Sequence, residues 1–219
     1  MVFLGEDIRL ISEGYDWVKK NNDLLEELAA SLIDSIERKE LLHLYWLYSD
    51  SLGALGQWLQ QLWAESLGKK AQLNGQSADD MSSLYLARGV SDQHSILQEI
   101  IEGKSKKLVG FITDKRSIQS GPKLSRSQGI MKHNLSSYGL GELLKIEAQA
   151  TEKALQEQGI QTFNLHLNEV TLSSVSAFMS IYMLVVISVA DYFKIDPFNQ
   201  PGVESSKIKT KEILSRLNH

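Results

Sequence analysis

Glu65, His94 and Lys207 are the side chains in this sequence whose types and settings could handle protons. Glu65 falls in a helix predicted over 52–67. There Trp58, Leu62 and Glu65 recur at i, i+4 and i+7, with Leu55, Leu59 and Trp63 flanking that face. A carboxylate in the last turn, on or beside a buried stripe, is disfavoured in its charged form by desolvation and by the negative end of the helix dipole. A carboxylate of raised pKa suits a general base working near neutrality. The same spacing also allows a Glu that reaches the surface or pairs with Lys69. His94 falls in the first turn of a helix opened by Ser91 or Asp92, just after an apolar run at 83–89. Ligands of open α/β sheets bind at the carboxyl ends of strands, and a helix N-terminus favours a neutral imidazole. A surface or capping histidine fits that position too. Lys207 lies one turn into a helix predicted over 204–217, where a cation opposes the dipole. That weakly favours an anionic partner; an exposed lysine beside Glu204 fits equally.

Other chemistries are excluded or find no support. There is no cysteine in 219 residues, so disulfides, thiolate metal sites and cysteine nucleophiles are ruled out. His43, His133, His166 and His219 show no metal-ligand spacing with one another. No P-loop, GxGxxG or GxSxG motif occurs. A formal net charge of −4 does not make a general nucleic-acid binder, since such binding needs a basic surface. Lys115, Arg116, Lys123 and Arg126 form a local basic cluster, read as a solvated surface loop. The most apolar stretch, 175–190, is short of a bilayer span and contains three serines, so it reads as a buried helix and no membrane partner is expected. The opening MVFLGEDIRL carries neither a basic n-region nor an apolar run of secretory length, and a cytoplasmic location is expected.

The elements that must position these residues follow from periodicity. Residues 6–38 read as helical, with Leu24, Leu25, Leu28, Leu32 and Ile36 at helix spacing. Runs at 41–48, 83–89, 107–113 and 162–167 read as strands. Helices are predicted at 52–67, from 91 or 92 to 102, and at 140–158, 171–193 and 204–217. The segment 114–137 reads as a loop. Strands alternating with helices imply βαβ units and a mainly parallel sheet covered on both faces. The fold class is a three-layer α/β/α sandwich with N- and C-terminal helices. The expected divisions are 1–40, an N-terminal helical segment; 41–195, the α/β/α domain; and 196–219, a turn and helix carrying Lys207.

Three ordered segments then converge on one family. QLWAESLGK (61–69), RGVSDQHSILQ (88–98) and DPFNQPGVESSK (196–207) resemble blocks of the glucose-6-phosphate isomerases. The last, aromatic-Asn-Gln-x-Gly-Val-Glu-x-x-Lys, is the most specific. The resemblance runs from about residue 5 to 217. It implies a sugar-isomerase (SIS) domain, the second of two, with the active site between domains and at a dimer interface. It also implies aldose–ketose interconversion of glucose 6-phosphate and fructose 6-phosphate with no metal or organic cofactor. By the resemblance, Glu65 matches the base that moves a proton between C1 and C2 through a cis-enediol. His94 matches a histidine that assists ring opening from the neighbouring subunit. Lys207 matches a lysine near the ring oxygen, and Gln200 a glutamine lining the substrate site.

The chain departs from the family in one respect. Family members are usually twice this length, and the Ser/Thr-rich phosphate loop and Gly-Gly-Arg segment of their N-terminal half have no match here. Arg88 and Arg116 stand in other contexts. A base without oxyanion stabilisation loses several kcal/mol of catalysis, as an order of magnitude. The expectation is a C-terminal isomerase half, inactive alone, whose partners are a sugar phosphate, the missing half and a second copy. The alternative is a non-catalytic sugar-phosphate-binding or regulatory SIS domain.

Overall fold

Period-two burial builds the sheet. In the computed structural model, which describes residues 7–123 and 138–217, four strands run parallel in the order β2-β1-β3-β4. They are β1 (Leu42–Leu47), β2 (Ser83–Arg88), β3 (Lys107–Asp114) and β4 (Gln161–Leu167). On the two central strands alternate residues feed two cores. Tyr45, Leu47, Leu108 and Ile112 face one; Leu44, Trp46, Val109 and Phe111 face the other. β2 and β4 are the edges, each paired on one side only.

Helices cover both faces, as the alternation of elements implies. α1 (Arg9–Lys20), α2 (Asn22–Glu37), α3 (Gly53–Leu67) and α7 (Leu172–Tyr192) enclose the larger core. α4 (Gln93–Glu102) and α6 (Leu140–Glu157) enclose the smaller one. Val18, Leu28, Leu32 and Ile36 join the same core as the sheet, so the N-terminal helices are packed against it rather than set apart.

Four details differ from the sequence reading. The helix expected over 6–38 is two helices, broken at Asn21, whose side-chain amide donates to the Trp17 carbonyl at 2.7 Å. Asn competes with helix propagation through such local bonds. The segment expected to be a loop from 114 opens with a short helix, α5 (Lys115–Gln119), because Asp114 Oδ1 accepts the Ser117 N–H at 2.9 Å and caps it. The remainder of that segment, 124–137, with Arg126 and His133, lies outside the described residues, as does His219. The apolar helix is 21 residues long, and by length and composition it could cross a membrane. Its packing gives the better account: Phe178, Ile181, Tyr182, Val185, Val186, Val189 and Ala190 are buried in the larger core. Last, α8 (Pro201–Leu217) starts three residues earlier than expected, with Pro at its first position, where a missing N–H costs nothing.

Gly14 lets α1 approach α7 closely. A Cβ there would sit 2.3 Å from the Ser173 carbonyl oxygen and 2.6 Å from the Ala177 nitrogen, both backbone atoms of α7 that cannot turn aside. Gly14→Ala should therefore destabilise the fold by about 2 kcal/mol, the usual scale for overpacking. Urea denaturation checks this; a variant of unchanged midpoint would show that α1 shifts freely over α7.

Candidate active site

Glu65 sits in the last turn of α3. The buried face of that helix is Leu55, Gly56, Leu59, Trp63, Ser66 and Leu67. Trp58, Leu62 and Glu65 are half-buried, so the stripe is rotated from the sequence reading and Glu65 lies on its margin. Gly68 ends the helix, its N–H bonded to the Ala64 carbonyl. Both carboxylate oxygens are engaged. Oε1 accepts from Gln61 Nε2 at 3.1 Å, and Oε2 from Gln200 Nε2 at 2.9 Å. Each keeps a second lone pair free. Glu65 and Gln200 are thus brought together across 135 positions of sequence.

A compact turn delivers Gln200. Asp196 Oδ1 accepts the Phe198 N–H at 2.9 Å, and its Oδ2 accepts from Asn199 Nδ2 at 2.9 Å. The Lys69 ammonium donates to the Glu65 carbonyl at 2.8 Å and also to the Asn199 carbonyl. Burial lowers the Lys69 pKa, opposed by the charges of Asp196 and Glu65. Lys69 and Gln61 are polar neighbours of Glu65 that sequence reasoning missed as members of the site. The signal was available, since Gln61, Glu65 and Lys69 stand four residues apart in sequence.

His94 is elsewhere. It is exposed in the first turn of α4, as expected, but neither Ser91 nor Asp92 caps that helix with its side chain. Asp92 Oδ2 instead accepts the Arg88 N–H at 2.7 Å. Likewise the Ser49-Asp50-Ser51 run after β1 forms a 3₁₀ turn over Asp50–Leu52 without a side-chain cap. His94 follows the carboxyl end of β2. The last turns of α3 lie beside the opposite end, where Trp63 Nε1 donates to the Ser82 carbonyl at 3.0 Å. A six-residue strand spans roughly 20 Å, so Glu65 and His94 of one chain sit at opposite ends of the sheet.

Lys207 is also not brought to Glu65 by a contact. Its ammonium bonds Glu204 Oε1 at 2.7 Å, the pairing that the spacing allowed. α8 buries none of its residues, and Val203, Ile208, Ile213, Leu214 and Leu217 are exposed along it. A mostly apolar cleft of about 470 Å³ lies between α1, α2, α7 and the carboxyl end of β4, with Trp17, Leu28, Lys115, His166 and Phe178 among its walls. None of the four predicted site residues lines it. Among the described residues, no group of three or more His, Asp or Glu could hold a metal.

Comparison with known proteins decides what this arrangement belongs to. The sequence profile of phosphoglucose isomerase matches residues 18–219. The chain belongs to the phosphoglucose isomerase family. A chloroplastic glucose-6-phosphate isomerase of Arabidopsis thaliana is 32% identical over 168 residues, 77% of this chain and 26% of that protein. The glucose-6-phosphate isomerase of Thermus thermophilus is 30% identical over 98% of this chain and 52% of its own length. A solved Thermus thermophilus structure, described as a hypothetical protein, superposes with a TM-score of 0.81 at 29% identity, covering 97% of this chain and 51% of that one. A Chlamydia trachomatis glucose-6-phosphate isomerase shares the fold with a TM-score of 0.66 at 20% identity, over 82% of this chain and 35% of that one. The chain thus spans about half the length of the Thermus family member, and less of the others.

Proposed function

We propose that this chain is the C-terminal part of a glucose-6-phosphate isomerase and holds its proton-handling groups. The observation that carries the reading is the Glu65–Gln200 pair, which joins two separate family-like blocks at one point. Glu65 is the base that takes a proton from C2 of the open-chain aldose and returns it to C1, through a cis-enediol. Its half-buried carboxylate, held by two carboxamides, is oriented before substrate arrives. Gln200 lines the sugar site. His94 assists ring opening, and Lys207 acts near the ring oxygen. No metal or organic cofactor takes part in this reading.

The separation of Glu65 from His94 favours a site shared between copies. One chain cannot offer both groups to one sugar, whereas a two-fold dimer can set the base end of one sheet against the histidine end of the other. The phosphate grip and the oxyanion stabiliser belong to the N-terminal half. A sugar phosphate, that half and a second copy are the proposed partners.

A coupled isomerase assay tests this. The chain alone should show no turnover above background, and mixing it with an N-terminal isomerase half should restore activity. Full activity of the chain alone would overturn the claim of incompleteness. A reconstituted pair that stays inactive would sink the isomerase reading and favour a binding or regulatory domain.

A further inference from the structure

We propose that Lys69 is a positioning residue: it pins the turn carrying Gln200 to the end of α3 and so sets the Glu65–Gln200 contact. The last carbonyls of a helix have no partner within it. Lys69 lies just past the helix end at Gly68 and folds back on one of them, the Glu65 carbonyl, at 2.8 Å. An ammonium has three protons to give. A second goes to the Asn199 carbonyl, 130 positions away in sequence. That carbonyl belongs to the peptide plane joining Asn199 to Gln200. Holding it fixes the direction in which Gln200 leaves the backbone.

Few other restraints connect this turn to α3. The two Asp196 bonds shape the turn from within and reach nothing on the helix. Upstream, the Leu73 N–H bonds the Lys194 carbonyl at 2.8 Å, six residues before Gln200. Downstream, α8 is bare and offers no anchor. Among the described residues, Lys69 and the Gln200 carboxamide itself are the polar ties between the turn and the last turn of α3. Remove the first, and the second must order a free segment unaided, against the entropy of that segment.

The inference rests on the reading of Glu65 as the base only in its kinetic arm. In the isolated chain, NMR of the Gln200 side-chain amide reports the contact directly. Lys69→Met, which keeps the stem and removes the donors, should move the Gln200 amide protons to the shifts of a free carboxamide. Backbone amides of the sheet should be unchanged. Lys69→Arg, which can still donate to both carbonyls, should restore the wild-type shifts. If Lys69→Met leaves the Gln200 resonances in place, the proposal is overturned. In the reconstituted enzyme Lys69→Met should lower kcat by about 10- to 100-fold, the scale of a misplaced catalytic group, with KM within about twofold. Lys69→Arg should recover most of that loss. A reconstituted wild type without activity would defeat the isomerase reading, and the NMR result would still decide the role of Lys69.

Discussion

Glu65→Gln should lower kcat of the reconstituted enzyme by about 10²- to 10⁴-fold, the usual weight of a positioned general base. The substitution is nearly isosteric. A carboxamide can still meet Gln61 and Gln200 once one partner turns its amide oxygen toward the new N–H, so the turn and helix should hold, and KM should change little. On the proposed reading, what is lost is the group that accepts the C2 proton. A decisive extension uses two inactive chains. If the site joins Glu65 of one copy to His94 of the other, Glu65→Gln and His94→Asn variants should complement when subunits exchange. A mixed dimer has one site with both groups intact and one with neither. Random exchange makes half the dimers mixed, so activity should recover to about a quarter of wild type. No recovery, with exchange verified, would place both groups in one chain's site, against the roughly 20 Å that separates the two ends of the sheet.

His43 should make the fold acid-labile well above the range where carboxylates titrate. Its ring is wholly buried, between the hydroxyls of Ser35 at 3.0 Å and Ser82 at 3.2 Å, and packs against Trp63 with ring centroids 5.5 Å apart. Burial lowers its pKa to about 4, opposed by hydrogen bonding of the ring to the Glu40 backbone carbonyl. The unfolded chain, with an ordinary histidine near 6.5, binds a proton that the folded one refuses. Stability is therefore full above about pH 6.5 and falls as pH drops toward 4. The loss should reach about 2 kcal/mol at pH 5 and about 3 kcal/mol at pH 4. His43→Asn removes the titrating group and should flatten the pH dependence over that window, whatever it costs at neutrality. Urea midpoints at pH 7, 6 and 5 measure it. Parallel curves for variant and wild type would assign the acid sensitivity to other groups.

The fold was legible because its signals are local and repeated. Apolar runs of strand length, each followed by a helix of the right length, leave little choice but a parallel sheet covered on both faces. The runs at 41–48 and 107–113 became β1 and β3 with shifts of one residue at their ends. Misreadings occurred where a single side chain overruled a pattern. Asn21 breaks a long helix with one bond, and Asp114 starts a short one with another. The Glu65–Gln200 pairing was not legible from periodicity, because nothing in spacing says that residues 135 positions apart will meet. It came into view only through two family-like blocks. The separation of Glu65 from His94, by contrast, follows from the βαβ pattern itself: in a parallel sheet the first turn of a crossover helix lies at the carboxyl ends of the strands and its last turn at their amino ends. The spacing of Lys69 from Glu65 suggests an ion pair; its actual acceptors are two backbone carbonyls, which no residue-type argument singles out.

α8 buries nothing, so its helical state adds no stability to the domain that carries it. Opening and nicking it costs the rest of the molecule nothing. Three lysines at 207, 209 and 211 lie along that exposed backbone. A chain clipped there keeps its sheet, both cores and its melting behaviour, and has lost Lys207 or the helix behind it. If Lys207 acts in the site as proposed, the amount of folded protein in a preparation is then a poor count of competent sites. Intact mass at the C-terminus, rather than any signal of folding, says how many chains are still whole.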